Sequence, residues 1–568
     1  MKDRVHSDIG AKRTNLTSWS EIDWQKVMKK VKNLRQRIYR ATKLKQWNRV
    51  RSLTKLMLRS YSNLLLSVSR VTEINQGRNT PGIDGYLAKT PEQRVRLVNN
   101  WDFQIWKIKP TKRIYIPKTN GKKRPLGIPT VNDRVAQAII KNALEPSWEV
   151  RFENNSFGFR PGRGCHDAIE GCFYRFRKGS IDNWVLDADI KGAFDNISHE
   201  FILKRLEYTP GREFIKKWLK AGYVESQIFN RTDKGTPQGG ILSPLLANIA
   251  LDGMDNWLSR ITETKVYGKT KIKTKEERKI YGFIRYADDF IVTAQTKEQI
   301  EAIIPRIREW LAIRGLHLNE EKTAIRNIND GFDFLGFNIR KFNGKCIIKP
   351  QKEKVTGKLN QIKTWLKDHP NAKPSVVIDV LNPILRGWGN YYKHGVSKET
   401  FAYFDHRLVK MLVKWIKRRH PSKGIEWAVP RYFGRIKGDR WVFKADTKDR
   451  QGKDTTKYLF RLATIPIVRH VKVRGNASPD DPQLKEYWEK RKTKVGKNYY
   501  AKGSKLYRIA ESQNWKCPVC NQHLFNQELI ETHHKKEVAY GGTDEEFNLI
   551  HVHQKCHRQI HGKRATSR

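Results

Sequence analysis

The chain has 568 residues, with 112 Lys and Arg against 58 Asp and Glu, a formal net charge of +54. An excess of that size goes far beyond what solubility requires and points to a polyanionic partner, nucleic acid ahead of a membrane surface. Hydrophobic residues make up 38% and aromatics 11%, enough for packed cores, which excludes a wholly disordered chain.

At ~150 residues per domain the length predicts roughly three to four domains. Six cysteines (165, 172, 346, 517, 520 and 556) are too scattered for a disulfide framework. Met1 to His6 lacks the apolar segment of a secretory signal. No apolar run reaches transmembrane length. These features predict an intracellular protein without a membrane partner.

In chain order, Trp24, Val27, Met28, Val31, Leu34 and Ile38 follow three-and-four spacing within a basic stretch from Trp19 to Leu66. They predict helices, with Ser18 or Ser20 as cap. Thr80 to Gly85 is a Pro-Gly turn. Arg113–Lys118 and Lys122–Leu126 flank Asn120-Gly121, a hairpin rich in cations. Asn132 to Gln137 opens a helix that buries Ile139 and Leu144. Ser156 to Arg163 is a loop whose glycines allow close approach and whose arginines suit phosphates.

Trp184 to Asp195 carries alternation that places Asp187 and Asp189 on one face and Leu186 and Ala188 on the other. Gly235 to Pro244 ends one element and starts a helix with Leu245, Leu246, Ile249 and Leu251. The charge run Lys269–Lys279 predicts a solvated loop. Gly282 to Val292 predicts a β-hairpin with Asp288 and Asp289 at its tip. Alone, that Asp-Asp pair is equally an ordinary turn. Set against Asp189, it becomes three converging carboxylates able to hold two Mg²⁺ ions beside a nucleic acid.

Beyond Trp310, which closes an amphipathic helix begun at Ile300, Phe334-Leu335-Gly336-Phe337 is either a loop or a buried strand. Leu359, Ile362 and Trp365 begin another helical stripe. Leu381 to Tyr392 is aromatic and tightly turned, and helices follow to His420. From about 435 to 505 the chain is basic and poor in long apolar periodicity, which predicts a DNA-binding segment and linker. In the last stretch, Cys517-x-x-Cys520 and His553-x-x-Cys556 have the spacing of tetrahedral structural Zn²⁺. A thioredoxin-like reading of the first pair lacks the βαβ context.

Asp189 with Phe194 five residues on, followed by Tyr286-Ala287-Asp288-Asp289, resembles the palm of reverse transcriptases. The Ala in the tetrapeptide and Thr80–Gly85 resemble group II intron proteins. The resemblance makes Asp189, Asp288 and Asp289 catalytic and Mg²⁺-binding. It places Phe194 against the incoming sugar, where a ribose 2′-OH would clash. It also places Lys118 and Arg124 on the nucleotide's phosphates, Gln238 beneath the templating base, Lys322 near the pyrophosphate, and Phe334–Phe337 at the primer end. Leu381–Tyr392 resembles the maturase or thumb region of that family.

Glu531-Thr532-His533-His534, Asn548 and Cys556-His557 with His561 four residues on resemble the HNH endonucleases. That resemblance makes His534 the general base. It gives a Mg²⁺ or Mn²⁺ ion to His533, His557 and His561, and makes Asn548 the brace of the catalytic loop. His553 stands where many relatives have a fourth zinc cysteine.

The expectation is therefore an α+β multidomain chain: a right-hand-like fingers and palm with an antiparallel palm sheet, an α-helical thumb, and a ββα-metal zinc module. Expected divisions are a basic helical extension (1–80), fingers and palm (81–345), thumb or maturase domain (346–435), DNA-binding segment and linker (436–505) and HNH module (506–568). By resemblance the chain is an RNA-directed DNA polymerase, splicing maturase and DNA endonuclease of target-primed intron mobility. Its expected partners are intron RNA, a double-stranded DNA target and deoxynucleoside triphosphates, in a bacterial cytoplasm or an organelle. The rivals are a splicing-only maturase with inactive enzyme sites and a retron- or defence-associated reverse transcriptase.

Overall fold

The first helix, Trp24–Lys43, starts where the Asp23 carboxylate accepts a hydrogen bond from Lys26 N. An anionic cap there satisfies a free N–H and suits the helix dipole. Ser18 and Ser20, the caps expected, are hydrogen-bonded to each other instead. The computed structural model describes residues 15–565 except 103–106, 118–120, 122, 268–273, 437, 449–451, 453, 501 and 527. Helices Trp47–Arg59 and Tyr61–Ser69 follow, and all three rest on the long helix Val131–Arg151. Ile139 and Leu144 are buried there as predicted, in one core with Trp24, Val27, Leu64 and Leu186. The expected division at 80/81 therefore crosses a continuous core.

Four strands form an antiparallel sheet in the order Ala324–Asn327, Trp184–Asp189, Asp289–Ala294, Gly282–Tyr286. Alternation sorts its side chains between two cores. Leu186, Ala188, Phe290 and Val292 enter the first, and Val185, Ile284 and Ile291 the second. The cationic hairpin also forms, pairing Thr111–Pro117 with Lys123–Ile128, and extends through Tyr223–Glu225 and Ile228–Asn230 into a second four-stranded sheet. The charge run differs from expectation. Its part Thr274–Lys279 is a strand paired with Thr262–Tyr267.

The second core continues through strands Phe332–Phe334, Phe337–Phe342 and Lys345–Pro350. Helices Lys352–Asp368, Pro374–Tyr392, Lys398–Arg419 and Ile425–Tyr432 follow. A three-stranded sheet of Phe433–Ile436, Asp439–Lys448 and Asp454–Tyr458 closes it with Phe443, Leu459 and Leu462. The expected divisions at 345/346 and 435/436 thus fall inside strands.

The stretch expected as a linker is anchored. Asp167 accepts hydrogen bonds from Val473 N (2.8 Å) and Arg491 Nη2 (3.0 Å) and lies 2.9 Å from His470 Nε2. Burial alone raises a carboxyl pKa, yet these partners hold Asp167 below its usual range. Arg35 grips Asp480 through Nε (2.8 Å) and Nη2 (2.7 Å). Such partners lie hundreds of residues apart in sequence and leave no local periodicity.

The C-terminal module has its own core of Tyr507, Trp515, Leu524 and Val552. Strands Ile530–His534 and Leu549–His553 pair antiparallel and lead into the helix Gln554–Ala565. Gln25 Nε2 donates to Val519 O at 2.7 Å, and the Lys555 ammonium lies 3.1 Å from the Trp24 ring centre. Among the described residues no helix is long and apolar enough to cross a membrane.

The loop after Val131–Arg151 corrects one expectation. Arg160 donates from Nε and Nη2 to the Glu149 carboxylate (3.1 and 3.0 Å) and from Nη1 to Ser156 O. Both side chains are 1% exposed, so Arg160 is structural and out of reach of a phosphate. Arg163 donates to Gly475 O. Arg160→Met leaves the Glu149 charge buried and alone, and should lower stability by about 3–5 kcal/mol in urea unfolding. Adding Glu149→Leu should restore most of it. A double variant as unstable as the single would show that the ion pair is not the cause.

Candidate active sites

Tyr286 and Asp289 are the last pair of the hairpin, so Ala287 and Asp288 form its turn. Ala287 has φ +59°, a strained region for a residue with a side chain, sustained only when the surroundings dictate it. Two neighbours do so. Arg285, 1% exposed, donates from Nη1 to Ala287 O (3.0 Å) and Asn248 Oδ1 (3.1 Å). On the other side the backbone of Gly158 presses on the turn, and a Cβ there would come within 2.3 Å of Ala287 N.

This turn sets Asp288 beside Asp289, and Asp289 stands directly opposite Asp189 on the neighbouring strand. Burial, then Asp288 and Asp189, push the Asp289 carboxyl up to about 7. Burial and Asp189 raise Asp288 as well. Repelling carboxylates in a half-buried site are stabilised as anions by a cation, and hard oxygen ligands suit Mg²⁺.

Lys322 supplies one positive charge, with Nζ 2.6 Å from Asp189 Oδ2. Asn319 Nδ2 donates to the same oxygen at 3.0 Å, and Asn319 N to Asp189 O at 2.8 Å. Lys322 thus rests on the acid itself, where the resemblance had put it near pyrophosphate. Asn319 carried no local signal beyond its place in Asn319-Glu320-Glu321-Lys322.

Around the acids, Phe194 is half-buried and meets Phe159 edge-on with ring centres 6.1 Å apart. Gln238 donates from Nε2 to Asp195 Oδ2 (3.1 Å) and accepts from Arg124 Nε (3.2 Å), tying the cationic hairpin to the first acidic strand's exit. Lys118 lies outside the described residues. Leu335 (φ +49°) and Gly336 (φ +80°) make a two-residue turn between strands, held by Tyr391 Oη donating to Leu335 O at 2.7 Å. Phe334–Phe337 is therefore both strand ends and turn.

In the C-terminal module, Cys517, Cys520, His553 and Cys556 bring one ligand atom each to within 4.8 Å of the others, all buried. Three thiols and an imidazole at that spacing fit structural Zn²⁺. His533, His557 and His561 form a second group under the same limit. Among the described residues the three aspartates of the hairpin site are not gathered that closely. Glu531 Oε2 lies 2.6 Å from His557 Nδ1 and orients that ring. His534 Nε2 lies 2.7 Å from Asp544 Oδ1.

Asn548 braces both ends of this loop. Its Oδ1 accepts from Lys536 N (2.8 Å), and its Nδ2 donates to Lys536 O (3.0 Å) and Thr543 O (2.7 Å). Glu531 and Asp544 had no role assigned from sequence. Each stood next to a motif, and only the folded loop brings it to an imidazole.

Four family models match the chain. They are the N-terminal domain of reverse transcriptase over residues 19–101, reverse transcriptase (RNA-dependent DNA polymerase) over 116–339, the maturase-specific domain of group II introns over 358–433, and HNH endonuclease over 517–563. Protein YkfC of Escherichia coli (strain K12) is 33% identical over 48% of this chain and 80% of its own. The group II intron-encoded protein LtrA of Lactococcus lactis subsp. cremoris is 29% identical over 61% of this chain and 71% of its own. An uncharacterized 91 kDa protein in the cob intron of Schizosaccharomyces pombe is 24% identical over 91% of this chain and 70% of its own. With palm, maturase and nuclease matches in order along one polypeptide, the chain belongs to the group II intron-encoded proteins and is a reverse transcriptase, maturase and HNH endonuclease.

Proposed function

We propose that Asp189, Asp288 and Asp289 carry RNA-templated extension of a DNA primer, and that the HNH module cuts the DNA strand that supplies the primer. The observation that carries this is the register of Asp189 opposite Asp289 beside Asp288, with Asp189 and Asp288 half-buried and Asp289 exposed. Mg²⁺ held there would lower the pKa of the primer 3′-OH and neutralise charge on the leaving pyrophosphate. Phe194, backed by Phe159, bars a ribose 2′-OH. Gln238 fixes the floor under the template by joining Asp195 to Arg124. Arg124, with Lys118, meets the triphosphate. Lys322, 63% exposed, balances Asp189 in the present arrangement and is open to the leaving anion.

In the nuclease, Asp544 accepts the Nε2 proton of His534, which leaves Nδ1 as the nitrogen that takes a proton from water. Cys517, Cys520, His553 and Cys556 would hold a structural Zn²⁺. His533, His557 and His561 would hold a divalent ion, which would supply positive charge for the phosphate being cut. The maturase helices and the sheet after them, with the N-terminal helices, grip intron RNA and the template–primer duplex. The other partners are a double-stranded DNA target and deoxynucleoside triphosphates.

Asp288→Ala should reduce primer extension on an RNA template by about 10³-fold or more while intron RNA binding stays intact. Tight RNA binding with no extension by the unaltered protein would point to a splicing-only maturase.

His534→Ala should lower DNA cleavage by about 10²–10⁴-fold with primer extension retained, and Asp544→Asn should lower it less. Cleavage at full rate in His534→Ala would remove that residue as the base.

Zinc removal by a chelator, or Cys556→Ser, should melt the C-terminal module ahead of the rest. In calorimetry this appears as a separate early transition that added Zn²⁺ reverses in the chelated protein. A single unchanged transition would count against a structural metal.

A further inference from the structure

A cavity of about 710 Å³ lies between helix Pro374–Tyr392 and helix Lys485–Tyr499. Its size suits a small organic group. Most of its surface is apolar, with Val471, Val495 and the Tyr499 ring among its lining. Tyr499 is fixed edge-on to Phe525, ring centres 5.4 Å apart.

The polar groups are one-sided. Arg386, Lys393 and Lys494 line the cavity, and among the described residues no Asp or Glu does. Lys393 is 7% exposed, and among the described residues its Nζ donates to the neutral oxygens Asn390 Oδ1 (3.0 Å) and Asn498 O (2.7 Å). Among the described residues no carboxylate pairs with these three cations, whereas Arg469 and Arg491 at the same cavity have Glu170 and Asp167. A buried ammonium without a counter-charge is costly unless a ligand brings the anion.

We infer that this cavity takes one unstacked nucleotide of single-stranded RNA, its base on Tyr499 and the apolar floor, its phosphate on Arg386, Lys393 and Lys494. A flat apolar ring joined to an anion matches the lining, and single-stranded RNA is read by bases splayed onto aromatic side chains. The choice of RNA rests on the intron-binding reading, since helix Pro374–Tyr392 lies within the maturase-specific match. The cavity wall also reaches the primer side of the palm. His166 Nε2 lies 2.7 Å from Tyr391 O, and Tyr391 holds the Leu335 turn.

The test uses the full-length protein and a fluorescein-labelled 20-nucleotide unstructured RNA containing 4-thiouridine, with DNA of the same sequence. Anisotropy is read at about 0.3 M salt to suppress non-specific phosphate contacts. Arg386→Glu with Lys494→Glu should weaken RNA binding about 100-fold, roughly tenfold for each reversed charge. Tyr499→Ala should weaken it about 5- to 100-fold, and Tyr499→Phe should keep the original affinity. Melting temperatures of the variants report that each is folded. Crosslinks should fall in 383–394 and 494–499. Unchanged RNA affinity in the charge-reversed and Tyr499→Ala variants, or crosslinks confined elsewhere, would overturn the proposal and leave the intron-protein reading standing. Equal losses on RNA and DNA would overturn the choice of RNA. Failure of the unaltered protein to bind any RNA would remove both readings together.

Discussion

The structure depends on holding like charges together. Asp189 and Asp289 face each other across two strands with Asp288 in the adjoining turn, and nothing in an isolated hairpin would keep them so. The repulsion is contained by rigid surroundings. The sheet buries Leu186, Phe290 and Val292 on one face and Val185, Ile284 and Ile291 on the other. A one-residue slip would swap the two faces and drive Asp187 and Asp189 toward the core that now holds Leu186 and Ala188. The register of the acids is thus secured by burial of their neighbours.

The turn carrying Asp288 is imposed in the same way. Arg285 is buried beneath it, and among the described residues its Nε and Nη2 have no hydrogen-bond partner, an expensive arrangement that the Ala287 and Asn248 contacts only partly offset. Arg285 N and O bond to Asn155 O and Phe157 N, so the loop through Gly158 runs as an extra edge along the hairpin. Arg160 and Glu149 lock that loop in turn. A chain of buried polar contacts leads from helix Val131–Arg151 to the turn of Asp288 and Asp289, and neither Arg285 nor Arg160 is free to touch nucleic acid.

Elsewhere the cation excess is organised by a few buried acids. Asp167 gathers Val473, His470 and Arg491, and Asp480 gathers Arg35. These acids fold the segment after the maturase helices back across the palm and N-terminal helices. The C-terminal module then meets helix Trp24–Lys43 through Val519 and Lys555. The chain's two ends thereby share one surface, and the nuclease sits against the N-terminal match of the polymerase.

Sequence by itself determined what local periodicity and short-range chemistry can specify. Alternation around Asp187 and Asp189, the Asp-Asp hairpin tip, the capped apolar stripes and the two metal-ligand pairs are set by residues within a few positions of one another. Three-and-four spacing, period two and Cys-x-x-Cys each constrain the local fold through residues only a few positions apart. Only the tertiary structure decided the rest. It drew the strands that cross the expected domain divisions at 345/346 and 435/436. It turned Arg160 inward, set Lys322 on Asp189, and brought Asp544 to His534 and Glu531 to His557. Each is a contact between groups whose separation in sequence carries no period, and whose energy exists only once burial has removed water from between them.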